Sequence, residues 1–125
     1  MLYSIIIIGL FQGGITLYIA VTGLKPKGYI GLIRFFLVAM PAFNAAQKAN
    51  GCLFCEKKAL SGHYYTLTAW KNKDYMRQYK ESRAHSRAQK LFPKIAYGKV
   101  YVYESISIPT WSDALEKFHN YARSV

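Results

Sequence analysis

Acidic residues and cysteines are the scarce components of this 125-residue chain. Six Asp and Glu stand against seventeen Lys and Arg, a formal charge of +11 that suits an anionic partner without naming the anion. The only cysteines, Cys52 and Cys55, are too few for a secreted disulfide framework and supply half of a structural zinc site. Such sparing use of cysteine fits a reducing, cytoplasmic setting. On an extended segment the two would lie roughly 10 Å apart on opposite faces, beyond the ~7 Å limit for bridging, so they read as two core thiols. No Gly-rich phosphate loop, nucleophile elbow or H-E-x-x-H occurs, which leaves most large enzyme classes without support.

Charge is also missing from residues 1 to 24, the first cation being Lys25. That length is compatible with a membrane anchor, which makes a membrane-associated protein the alternative to a cytoplasmic one. Against an anchor, Ile5 to Ile8 is a β-branched run, Gln12-Gly13-Gly14 interrupts it, and Ile15 to Thr22 has the composition of a second strand. The lack of a basic n-region argues against a cleaved signal peptide.

With 52% hydrophobic and 16% aromatic residues, the chain has material for one compact domain over residues 1–125, read as an extension (1–14) and a folded part (15–125). Ile15 to Thr22 alternates aliphatic residues with Thr, Tyr and Ala at the period of a strand. Ile30, Ile33, Phe36, Leu37 and Met40 have helical spacing, and Pro41 is expected to kink that helix or to start a second one running to about Ala49. Cys52 to Lys58 and His63 to Trp70 read as a hairpin around Ser61-Gly62. Asn72 or Asp74 can cap a helix carrying Tyr75, Met76 and Tyr79, with a break near Glu81-Ser82 and an end at Pro93. Val100 to Tyr103 is a further strand, and Thr110 with Asp113 opens a last helix bearing Trp111, Ala114, Leu115, Phe118 and Tyr121. The order predicts an α+β fold, a ferredoxin-like antiparallel sheet with helices on one face.

Ile15, Leu17, Ile19, Val21, Leu67, Ala69, Val100 and Val102 form an aliphatic set expected to pack under the helices. The opposite set, Thr16, Tyr18, Thr22, Tyr64, Thr66, Thr68, Trp70, Tyr101 and Tyr103, is large and amphipathic, as suits a pocket or an interface. A second copy of the sheet satisfies it with two-fold symmetry, so a homodimer enclosing a cavity is expected. The alternative is a monomer whose N-terminal segment or a helix covers the face.

Of the three histidines, His119 falls at an exposed helix position and His63 at a strand start, leaving His85. It sits in Ser82-Arg83-Ala84-His85-Ser86-Arg87-Ala88, where small neighbours let a planar ligand approach, imidazole can ligate haem iron, and Arg83 and Arg87 can meet ligand carboxylates. The plainer reading is a histidine hydrogen-bonded within its own fold. Lys71 to Lys94 holds eight basic residues and two acidic ones, yet no recognition helix or RNP strand is readable, so nucleic acid is not expected as a partner.

Tyr65-Thr66-Leu67-Thr68-Ala69-Trp70-Lys71-Asn72, followed by Met76, Tyr79, Ser82 and Ala84-His85, resembles the strand-helix signature of the antibiotic biosynthesis monooxygenase-like superfamily of dimeric α+β barrels. Tyr101 to Ser105 and Ile108 to Trp111 extend the likeness, and spheroidene monooxygenase-like proteins are a neighbouring branch. The resemblance implies a homodimer and a monooxygenase acting either on haem or without a cofactor. It also implies that Trp70 lines the pocket and that His85 is the base or the iron ligand. Tyr18, Tyr64, Thr66, Thr68, Tyr101 and Tyr103 are then candidate substrate contacts. Two departures, the 15-residue step from Trp70 to His85 and a first strand with Thr and Tyr in place of the haem-degrading branch's Asn, bear on haem cleavage rather than on haem binding. A carrier or sensor of a hydrophobic anion, and a membrane-edge protein anchored by residues 1 to 24, are the rival readings.

Overall fold

The computed structural model describes residues 16–125. The expected segment at Ile5 to Ile8, with the whole 1–14 extension and Ile15, therefore lies outside the described residues. Five strands and four helices follow one another as β1 (Leu17–Pro26), α1 (Gly28–Lys48), β2 (Cys52–Leu60), β3 (His63–Trp70), α2 (Lys73–Lys80), α3 (Arg83–Ile95), β4 (Ala96–Ser105), α4 (Trp111–Tyr121) and β5 (Arg123–Ser124). The strands pair antiparallel in the order β2-β3-β1-β4-β5, which is the ferredoxin-like α+β arrangement with a short added edge.

Local chemistry sets the boundaries. Ser61 and Gly62 both have positive φ, 52° and 77°, the two-residue turn whose twist suits a hairpin, and they join β2 to β3. Asn72 accepts from the Tyr75 amide at 3.1 Å, Ser82 from that of His85 at 3.4 Å and Thr110 from that of Asp113 at 3.2 Å, so each of α2, α3 and α4 starts on a side-chain cap. Two proline expectations change. α1 runs unbroken through Pro41, because the proline and Leu37, whose carbonyl loses its partner, both face solvent. α3 continues past Pro93 to Ile95, and the Pro93 carbonyl accepts from the Lys27 ammonium at 2.9 Å.

The register corrects the assignment of faces. Val21 lies opposite Tyr101 and Ile19 opposite Tyr103, so both tyrosines share the face of Ile19, Val21, Leu67 and Ala69. Val100 and Val102 face the other way, beside Thr22, Ala20, Thr66 and Thr68. Directly paired residues project to one side of a sheet, and β4 runs one residue out of phase with the expectation. The aliphatic face receives α4 through Ala114 and Phe118, while α1, α2 and α3 cover the amphipathic face. The helices thus divide between the two faces of the sheet.

α1 brings a second correction. Gly31, Phe35, Ala42 and Ala46 are its buried residues, whereas Ile30, Ile33 and Leu37 of the helically spaced set face outward, and Phe36 and Met40 turn toward the sheet, Phe36 packing on Tyr64. Small residues decide this: a Cβ on Gly31 would stand 2.9 Å from the Ile95 carbonyl oxygen, so this side of α1 lies closest to α3.

Candidate functional site

Between the sheet and α1, α2 and α3 lies a cavity of about 850 Å³. Its floor is the amphipathic strand face, with Thr22 from β1, Tyr64, Thr66, Thr68 and Trp70 from β3, and Val102 from β4. Phe35 from α1 and Phe92 from α3 close the roof at one end, their rings 5.7 Å apart, and Phe35 also packs on Tyr64 at 5.2 Å. Most of the lining is apolar, the composition of a site for a hydrophobic ligand.

Trp70, Tyr79 and His85 form a continuous aromatic wall. Trp70 is 1% exposed, donates its indole N–H to the Thr68 hydroxyl at 2.9 Å, and stacks on Tyr79 with ring centres 5.2 Å apart. Tyr79 donates its hydroxyl to the Ala42 carbonyl at 2.8 Å, tying α2 to α1, and burial pushes its phenol well above the usual range. His85 stands edge-on to Tyr79 at 4.9 Å. Its Nδ1 is buried with no hydrogen-bond partner among the described residues. Burial holds the imidazole below its ordinary pKa, with the Lys80 carbonyl partly opposing the shift, so the ring is uncharged at neutral pH. An uncharged imidazole in an apolar enclosure can act as a base or as a ligand to iron.

The sequence-derived candidates therefore separate. His85, Trp70, Tyr64, Thr66 and Thr68 meet at the cavity. Tyr18 shares their face, opposite Trp70, but sits outside the lining. Tyr101 and Tyr103 lie on the reverse of the sheet, stacked on each other at 5.2 Å, which removes them from this cavity because of the β4 register. Arg83 and Arg87 are exposed on α3 and do not line it.

The cations on the wall are instead Lys57 and Lys80, the Lys58 ammonium standing over the Trp111 ring on the reverse face. Lys57 could have been found from strand alternation, since it pairs with Thr66 and shares its face. Its ammonium stands 4.8 Å over the Phe43 ring. Phe35 was concealed because the apolar residues of α1 form two stripes and the outward one is the more regular.

Cys52 and Cys55 also depart from expectation. A bulge between Cys52 and Phe54 pairs Cys52 with Trp70 and Cys55 with Thr68, so both thiols share one face and are half-buried. Phe54 and Glu56 occupy the reverse face, where Glu56 accepts from the Trp111 indole at 2.9 Å.

No protein-family model matches the sequence, and no curated protein is similar to it. Solved structures are similar in fold. The cofactor-independent oxygenase SnoaB from Streptomyces nogalater superposes with a TM-score of 0.60 at 10% identity, over 70% of this chain and 91% of that one. A candidate antibiotic biosynthesis monooxygenase from Deinococcus radiodurans gives 0.64 at 15% identity, over 74% and 96%. A conserved protein from Methanosarcina mazei gives 0.64 at 15%, over 75% and 96%. The fold is that of the antibiotic biosynthesis monooxygenase-like proteins.

Proposed function

We propose that this chain is a small monooxygenase-like protein whose cavity binds a planar hydrophobic substrate or haem, with His85 as the working group. One observation carries the reading: a half-buried imidazole, held below its ordinary pKa and with no Nδ1 partner among the described residues, borders an apolar cavity of about 850 Å³. In the cofactor-free case His85 removes a proton from an acidic carbon of the substrate, and Lys57 and Lys80 stabilise the anion. The anion then reacts with O2. One oxygen atom becomes a carbonyl at that carbon and the other leaves as water, so a CH2 group and O2 give C=O and H2O. Trp70 and Tyr64 offer flat surfaces for the ring system, and Thr66 and Thr68 offer hydroxyls for orientation.

The donor set also suits haem. His85 would be a neutral nitrogen ligand, and Lys57 and Lys80, rather than Arg83 and Arg87, can meet its carboxylates. Bound haem would supply O2 activation. The working unit in this reading is a cytoplasmic homodimer, with residues 15–125 as its folded domain and Tyr101 and Tyr103 on the paired sheet face.

The deciding experiment is a haemin titration followed in the Soret region, with O2 consumption measured on candidate polycyclic phenols, for the native chain and His85→Ala. A saturable one-to-one shift lost in the variant establishes the haem branch. O2 uptake without haem, abolished in the variant, establishes the cofactor-free branch. Saturable binding of a phenol with neither signal supports the non-catalytic carrier or sensor.

A second reading, a membrane-edge protein, is favoured by α1. Tyr29, Ile30, Ile33 and Leu37 are 88%, 71%, 63% and 71% exposed on one face. α1 is long and apolar enough to cross a membrane, but its opposite side packs on the sheet, so it is suited to lying on a surface. No acidic residue precedes Glu56, while Lys25, Lys27 and Arg34 accompany the stripe, which matches an anionic lipid surface. This moves the anchor from residues 1 to 24, since Leu17 to Leu24 belongs to a strand flanked on both sides. Co-sedimentation with phosphatidylserine vesicles that is lost in Ile33→Glu/Leu37→Glu supports it, and unchanged partitioning rejects it.

A further inference from the structure

We propose that Cys52 and Cys55 form a redox site in which a hydroperoxide oxidises Cys52 and Cys55 closes a disulfide across the β2 bulge. On a regular strand residues three apart point to opposite faces and cannot be bridged. Here their partners, Trp70 and Thr68, are two residues apart on β3, so three steps of β2 are compressed into two of its neighbour. Two steps at ~3.4 Å each bring the Cα atoms to roughly 6.8 Å, the long end of the disulfide range, with both side chains on one face.

The surroundings divide the labour between the thiols. The Cys52 sulfur folds over the bulge to 3.4 Å from the Phe54 carbonyl oxygen. A hydrogen bond from Cys55 holds the Cys52 thiol below its usual range, while that same bond, together with burial, pushes Cys55 up. Cys52 is therefore the more readily ionised sulfur, the one that attacks once it gives up the proton it donates to Phe54, and Cys55 is the thiol that resolves. Negative charge on either sulfur raises the Tyr79 phenol, so the pair lies within electrostatic reach of the cavity wall.

The Cys52 thiolate attacks one peroxide oxygen and forms an S–O bond. The O–O bond breaks and the leaving oxygen departs as water or an alcohol after taking up a proton. Cys55 then attacks the sulfenic sulfur, the S–O bond breaks, and the sulfenic hydroxyl leaves as water with the Cys55 proton. Two thiols and one hydroperoxide have become a disulfide, water, and water or an alcohol. A low-molecular-weight thiol restores the pair by two exchanges.

The test treats the full chain with hydrogen peroxide and counts free thiols after denaturation, with intact mass and a non-reducing gel. The count is expected to fall from two to zero in monomer-sized chains, with a loss of about 2 Da that dithiothreitol reverses. Cys55→Ser should accumulate a sulfenic acid that dimedone traps, and Cys52→Ser should react at least about tenfold more slowly. The circular dichroism of both variants checks that the fold is kept. Retention of two thiols, a disulfide found only between chains, or equal rates in the two variants overturns the proposal. None of these outcomes touches the His85 reading, which haem binding and O2 uptake decide separately.

Discussion

Tyr79 meets His85 edge-on, ring centres 4.9 Å apart and planes inclined by 67°, while its hydroxyl is fixed to the Ala42 carbonyl at 2.8 Å. One phenol thereby joins α1, α2 and α3 and shields the imidazole. Tyr79→Phe keeps the ring and loses one hydrogen bond, for which we expect a loss of about 1 kcal/mol in urea unfolding. Tyr79→Ala should cost about 3–5 kcal/mol and admit water. The His85 pKa, followed by NMR, should then return toward its ordinary value in Tyr79→Ala and stay depressed in Tyr79→Phe.

Because burial lowers the His85 pKa in the folded chain, the unfolded chain binds its proton more readily. This contribution to stability is complete above the unfolded histidine range and is lost as pH falls through that range toward the folded value. Unfolding free energies measured from pH 7.5 down to pH 5 should therefore decline more steeply in the native chain than in His85→Gln. If His85 is the base, the acid limb of the O2-uptake profile should lie below the ordinary histidine range.

The ferredoxin-like order was legible because its signals are local: Ser61-Gly62 can only turn, and Asn72, Ser82 and Thr110 each cap the helix that follows. What alternation along one strand cannot give is its phase relative to the next. Tyr101 and Tyr103 looked like partners of Thr66 and Thr68, but pairing with Ile19 and Val21 turns them to the reverse face. The bulge at Cys52 likewise depends on pairing with β3 and leaves no mark in the spacing of the two cysteines. Trp70 and His85 were recognisable as a pair and Lys57 follows from strand alternation, whereas Lys80 reaches the cavity only through tertiary placement.

Gly23 shows how closely α4 approaches the sheet. A Cβ there would lie 2.6 Å from the Phe118 ring and 2.8 Å from that of Tyr65, and both side chains are core members. Gly23→Ala should destabilise the chain by about 1–3 kcal/mol through overpacking. The double variant Gly23→Ala/Phe118→Leu should recover part of that loss relative to the sum of the single changes, as a thermal or urea double-mutant cycle measures directly.

The face under α4 is where a homodimer would be tested. Ala114 and Phe118 pack on Val21 and Leu67, yet Tyr101 and Tyr103 remain only half-buried beside them. Tyr103 keeps a shielded hydroxyl with no partner among the described residues, and the 63% exposed Tyr121 rests on Tyr101 at 5.5 Å. A ladder of half-covered tyrosines is what an interface offers, since rings bury area and hydroxyls find partners across it. Tyr101→Glu places a charge in that contact, and desolvating it should weaken a dimer by at least about a hundredfold, which is roughly 2.7 kcal/mol. Sedimentation equilibrium should show a dimer for the native chain and a monomer with unchanged far-UV circular dichroism for Tyr101→Glu. If the native chain is itself monomeric, α4 alone closes the face, and the cavity under α1 and α3 must work within one chain.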